Sequence, residues 1–94
     1  MDRQNETSSL KQDLDKGAEQ LRALRDEIRL HLHLANLELK EAWASKLEPE
    51  LFQLEAKLGD VSESTRAKAR ELVKRMTEMR DRLKRLKAER GERR

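Results

Sequence analysis

The residues in this chain that could hold a metal ion or move a proton are few. His31 and His33 are the only histidines, and there is no Cys or Tyr. Two residues apart on a helix, their imidazoles point about 200° from each other and cannot share one ion. Glu27 and Glu38 lie four residues before and seven after His31, so Glu27, His31 and Glu38 form the one conceivable cation site. The same trio is what the edge of a helix interface looks like, and we read it that way, with no metal ligands. A Glu-x-x-His pair is absent, because Ile28 and Leu30 stand three residues before the histidines. There is no Gly-rich phosphate loop and no G-x-S-x-G elbow. Neither catalytic residues nor a cofactor are expected, and the chain reads as a non-enzyme.

Cations offer a second kind of chemistry. Residues 1–60 carry 9 Lys/Arg and 13 Asp/Glu, whereas residues 61–94 carry 13 and 6, so an acidic part (−4) precedes a basic one (+7). A basic helix can neutralise phosphates without reading sequence, which makes non-specific nucleic-acid binding through the basic helix and tail the alternative reading. One Phe, one Trp and no Tyr leave almost nothing for bases to stack on. A solvated face balanced by the acidic part is preferred. No apolar run approaches the roughly 20 residues of a membrane span, and no basic-then-apolar leader opens the chain. The absence of Cys fits a cytoplasmic setting.

The elements that would carry these groups are long helices. With 44% charged and 35% hydrophobic residues in 94, the chain can fill narrow seams between helices but no thick core. Residues 1–7 read as a flexible N-terminus, with Thr7, Ser8 and Ser9 as candidate caps of helix 1. Helix 1 is expected over about 8–58 and helix 2 over about 61–90, with a basic tail at 91–94 after Gly91. Gly59-Asp60 is the turn between them, with Gly59 left-handed and Asp60–Glu63 a capping box. Pro49 should kink helix 1, since it cannot donate to the Ser45 carbonyl. Ile28 to Leu34 alternates apolar and polar like a strand, but helical periodicity on both sides favours helix.

Two apolar stripes define the expected architecture. On helix 2, Ala69, Leu72, Met76, Met79, Leu83 and Leu86 follow coiled-coil spacing. Its outer faces carry Glu71–Arg75, Glu78–Arg82, Asp81–Arg85 and Glu89–Arg93 at i,i+4. On helix 1, Leu10, Leu14, Gly17, Leu21, Leu24, Ile28, Leu32, Ala35 and Leu39 share a face that drifts on through Trp43, Leu47, Leu51, Leu54 and Leu58. Folding at the turn sets Leu32, Leu39, Trp43 and Leu47 opposite Leu86, Met79, Met76 and Leu72, with Leu83 beside Ala35. The expected fold is thus all-α, an antiparallel helical hairpin of coiled-coil type with a long helix 1 and a shorter helix 2. Trp43 reads as a core residue of that seam.

Such a hairpin leaves Leu10, Leu14, Leu21 and Leu24 bare, because helix 2 is too short to reach them. Leu30, Leu34 and Leu37 would form a second face on the far side of helix 1, spaced i, i+4, i+7. A second chain is expected to cover both, giving a homodimer with Leu34 near its two-fold axis. The function that follows is an oligomerising coiled-coil adaptor or scaffold. Its partner is itself or another helical protein; a nucleic acid is the weaker partner and a membrane is not expected.

Overall fold

The computed structural model describes the backbone of residues 2–92 and the side chains of residues 9–89. It is all-helical among those residues, but in three rods instead of two. The first is α1 (Asp2–His31). A 3-10 turn (Leu32–Leu34) and two non-helical residues then separate it from a middle rod over 37–57. That rod consists of α2 (Leu37–Ala42), a π turn (Trp43–Leu47) and α3 (Glu48–Lys57), consecutive in the chain. The last rod is α4 (Glu63–Glu92). Bundle dimensions are 60 × 24 × 15 Å.

The expected single helix over 8–58 is therefore broken, and the breaking residue is Asn36. Its Oδ1 accepts the Leu39 backbone N–H at 2.9 Å, an N-cap that starts a new helix. Ala35 turns extended just before it, and its N–H closes the 3-10 turn on the Leu32 carbonyl at 3.0 Å. The alternating stretch from Ile28 to Leu34 is neither a strand nor a continuing helix. It is a helix end followed by a tightened turn.

Helix starts and stops differ from expectation elsewhere too. α1 runs from Asp2, so Thr7, Ser8 and Ser9 lie inside it and not at its start, and residues 2–7 are helical; Met1 lies outside the described residues. α4 continues through Gly91 to Glu92, and Arg93 and Arg94 lie outside the described residues. No described glycine has a positive φ, so Gly59 is not the left-handed cap. The turn closes instead through the Asp60 N–H on the Lys57 carbonyl at 2.8 Å. Ser62 caps α4, its Oγ accepting the Thr65 N–H at 3.2 Å and lying 3.0 Å from the buried Thr65 hydroxyl. Ser62 is three residues before Thr65, so the cap sits two positions later than Asp60.

The middle rod shows why a π turn forms. Buried Leu39, Trp43, Leu47 and Leu51 are spaced four apart. At about 100° per residue each such step rotates the stripe by about 40°, which would carry it off the core. In the π turn the Glu48 N–H bonds to the Trp43 carbonyl, five residues back. One extra residue per turn cancels much of the drift and holds the stripe inward. Pro49 stands at the start of α3, directly past this widened turn, and the rod neither breaks nor ends there.

α1 and α4 are parallel. Asp13 meets Arg66, Gly17 meets Ala69 and Glu27 meets Arg80, at an offset near 53 residues throughout. The middle rod runs antiparallel to both, pairing Arg29 with Glu48 and Arg75 with Glu50. One core results: Leu21, Leu24 and Ile28 from α1, Leu39, Trp43, Leu47, Leu51 and Leu54 from the middle rod, and Leu72, Met76, Met79 and Leu83 from α4. Leu32 and Leu86 pack half-buried at its edge. Each fully buried Leu contributes about 1.5–3 kcal/mol, so covering the α1 stripe with α4 is what makes the third rod favourable.

Two substitutions test this packing. At Gly17 an added Cβ would lie 3.7 Å from the Ala69 Cβ, ordinary contact distance. Gly17→Ala is expected to raise stability by about 0.5–1 kcal/mol, seen as a higher urea midpoint at unchanged slope. Asn36→Ala should lower it by about 1 kcal/mol through loss of the cap.

Candidate association surfaces

Charges first define what each face of the bundle has already satisfied. Along the parallel α1–α4 seam, Asp13 takes Arg66 at 3.1 Å and Arg70 at 3.6 Å. Two heptads on, Glu27 lies 3.8 Å from Arg80 Nε and 3.5 Å from Lys84 Nζ. Each acid thus sits against a basic pair at i and i+4, and the arrangement repeats after 14 residues on both helices. In the heptad between, Gln20 falls level with Val73 and Thr77, and there the seam is uncharged. Glu63 hydrogen-bonds Arg66 and, with Asp13, raises its pKa above the ordinary arginine value against the loss of solvation. The Glu27 Oε2 is shielded from solvent with no hydrogen bond of its own, held only by the two cations at ion-pair range.

The i,i+4 pairs expected on the basic helix are not closed. Arg75 reaches across to Glu50 instead of Glu71, and neither Arg82 nor Arg85 meets its acid among the described residues; Glu89–Arg93 falls outside them. Lys68, Lys74, Arg82, Arg85 and Lys87 are exposed and make no ion pair with a described residue. Glu71, Glu78 and Asp81 are interleaved among them along α4, so the outer face is mixed in sign.

The apolar residues expected to wait for a second chain divide sharply. Leu14, Leu21 and Leu24 are buried inside this chain, because α4 lies along α1 and covers them; Leu10 is half-buried. No bare stripe remains there. Leu30 and Leu37 are 67% and 71% exposed, and Leu34 is half-buried in the turn between them. The break at Asn36 removes the i, i+4, i+7 seam these three would have formed on one helix. Phe52, which the sequence reading passed over, is 60% exposed on α3. Its signal was available: it falls two residues before Leu54, on the side of the rod opposite the core stripe.

An open groove of about 310 Å³ runs between α3 and α4, floored by Leu54 and Leu72 and rimmed by Glu50, Lys57, Lys68 and Arg75. His33 places its Nδ1 3.1 Å from the Leu30 carbonyl, a local contact at the corner. Among the described residues no group of three or more His, Asp or Glu side chains converges as metal ligands, and no helix is long and apolar enough to cross a membrane. Compared with family models, curated proteins and solved structures, the chain matches none.

The parallel seam can be tested by charge exchange. Glu27→Lys should lower stability by about 1 kcal/mol by placing three cations together. Adding Arg80→Glu and Lys84→Glu should restore most of the loss, read from the urea midpoint. No recovery would mean that these residues do not face one another.

Proposed function

We propose that this chain is an association module, an adaptor or scaffold that works by contact with other chains and, first, with copies of itself. One observation carries the reading. On a small bundle whose surface is dominated by charge, Leu30, Leu37 and Phe52 each hold more than half of their surface in water. Single exposed apolar residues are ordinary on protein surfaces; several of the largest, facing outward from α1 and the middle rod, are what a contact surface supplies. The core is complete without them, so stability gives no reason for their type.

Nucleic-acid binding remains the rival, favoured by the five exposed α4 cations with no ion pair to a described residue. Against it stand the acids interleaved along the same face, which cap the local positive field.

Sedimentation over about 1–100 μM is expected to show a mass above the 11.1 kDa of one chain. The triple variant Leu30→Glu, Leu37→Glu, Phe52→Glu should return to that mass. A monomeric wild type would reject self-association. Tight duplex DNA binding near physiological salt, weakened at least tenfold by Arg82→Ala with Arg85→Ala, would promote the rival.

A further inference from the structure

The middle rod carries a second column of residues besides its core stripe. Leu37, Glu41, Ser45, Pro49 and Phe52 each stand two positions before a core residue, namely Leu39, Trp43, Leu47, Leu51 and Leu54, and Ala56 stands two before Leu58, which is half-buried against that core. Two residues turn a helix by about 200°, so this column lies opposite the core and keeps its line through the π turn as the stripe does. All six are exposed. Five of them are uncharged, on a rod whose sides carry Glu38, Lys40, Lys46, Glu48, Glu50, Glu55 and Lys57.

The column has a two-fold pattern. Ser45 lies midway, with a large apolar residue near each end, Leu37 eight positions before and Phe52 seven after. We infer that the occupant of this face is the same face of a second copy, the two middle rods packed antiparallel with Ser45 at the axis. This rests on the association reading above and names its partner and surface. Leu37 of each chain then meets Phe52 of its mate, twice by symmetry, and the small Ser45 and neighbouring Ala44 let the rods approach at the crossing. A foreign helix would need no such pairing of residue sizes about one point.

In the same arrangement the exposed Lys46 of each copy flanks the axis beside its counterpart, a like-charged pair left in solvent, while the acids find partners. Glu41, the column's one charge, arrives beside the mate's Glu48. There Arg29 already lies 3.4 Å from the Glu48 carboxylate and supplies a cation between the two acids. On the other flank Glu38 comes level with Gln53, an acceptor facing an amide donor. The outer face of α4 cannot serve equally, since Ala67 and Ala88 are the only exposed apolar residues of that helix among the described side chains. Leu30 belongs to α1 and stands outside the column.

The chain has no cysteine, so a single one can be placed at will. A disulfide needs Cα atoms within about 7 Å, which the axis position alone satisfies for identical residues. Ser45→Cys is expected to cross-link into a covalent dimer under mild oxidation at about 10 μM, at least tenfold faster than Ala67→Cys on the outer face of α4. Adding Phe52→Glu or Leu37→Glu to Ser45→Cys should slow cross-linking about tenfold, whereas Leu30→Glu should not. Circular dichroism of each variant is expected to show unchanged helicity. Equal rates at the two cysteines, or cross-linking untouched by Phe52→Glu, would overturn this dimer. A wild-type dimer that Leu30→Glu dissociates and Phe52→Glu spares would keep the association reading and discard this surface. A monomeric wild type would discard both.

Discussion

A single hydrogen bond, from the Leu39 N–H to the Asn36 side chain, sits where the whole arrangement of rods is decided. An apolar stripe extends along nearly the full first two-thirds of the chain, and a helix that followed it unbroken would expose one half of it to water. Ending α1 at His31 and restarting at Leu37 folds that stripe onto itself and onto α4. The gain is large, because Leu14, Leu21, Leu24 and Ile28 all become buried. The cap itself is worth only about 1 kcal/mol. Its part is to fix where the chain turns, by giving the orphan N–H groups of the new helix an acceptor at that one position.

Once the turn is fixed, the two flanking helices must run in the same direction, and the sequence of each is written for that. Asp13 and Glu27 recur at a 14-residue interval, and so do Arg66 with Arg80 and Arg70 with Lys84. Gly17 and Ala69 bring the backbones close near one end of the seam. The middle rod solves a different problem. Its run of four-residue spacings drifts, and the π turn at Trp43–Leu47 absorbs the drift directly before Pro49, where a regular hydrogen bond would be lost in any case.

Much of this was legible in the sequence and some was not. Helical class and both stripes follow from the spacing of Leu and Met, and a shorter antiparallel pairing, of the middle rod with α4, is what remains of the expected hairpin. The corner was missed because apolar periodicity passes through it, and a one-residue cap between two Leu-rich segments is a weak mark against a strong pattern. The alternation from Ile28 to Leu34 was the visible symptom: a stretch that fits helix badly and has no strand partner is a place where the helix ends. The α4 ion pairs were misassigned because proximity along one helix was the only proximity on offer. Arg75 prefers Glu50 on a neighbouring rod, a partner that appears only once the rods are placed. Exposure of Phe52 could have been read from its offset to the core stripe.

An odd number of rods has a mechanical consequence. The chain enters the bundle at one end, through α1, and leaves it at the other, through α4. A pull on the two ends therefore slides α1 and α4 past each other along their common axis instead of peeling them apart. Sliding loads the Asp13 and Glu27 clusters, and every side chain interlocked between them, at the same moment. A hairpin, with both ends on one side, would open like a zipper, one layer after another. In this bundle a pull on the two ends is shared along the whole seam.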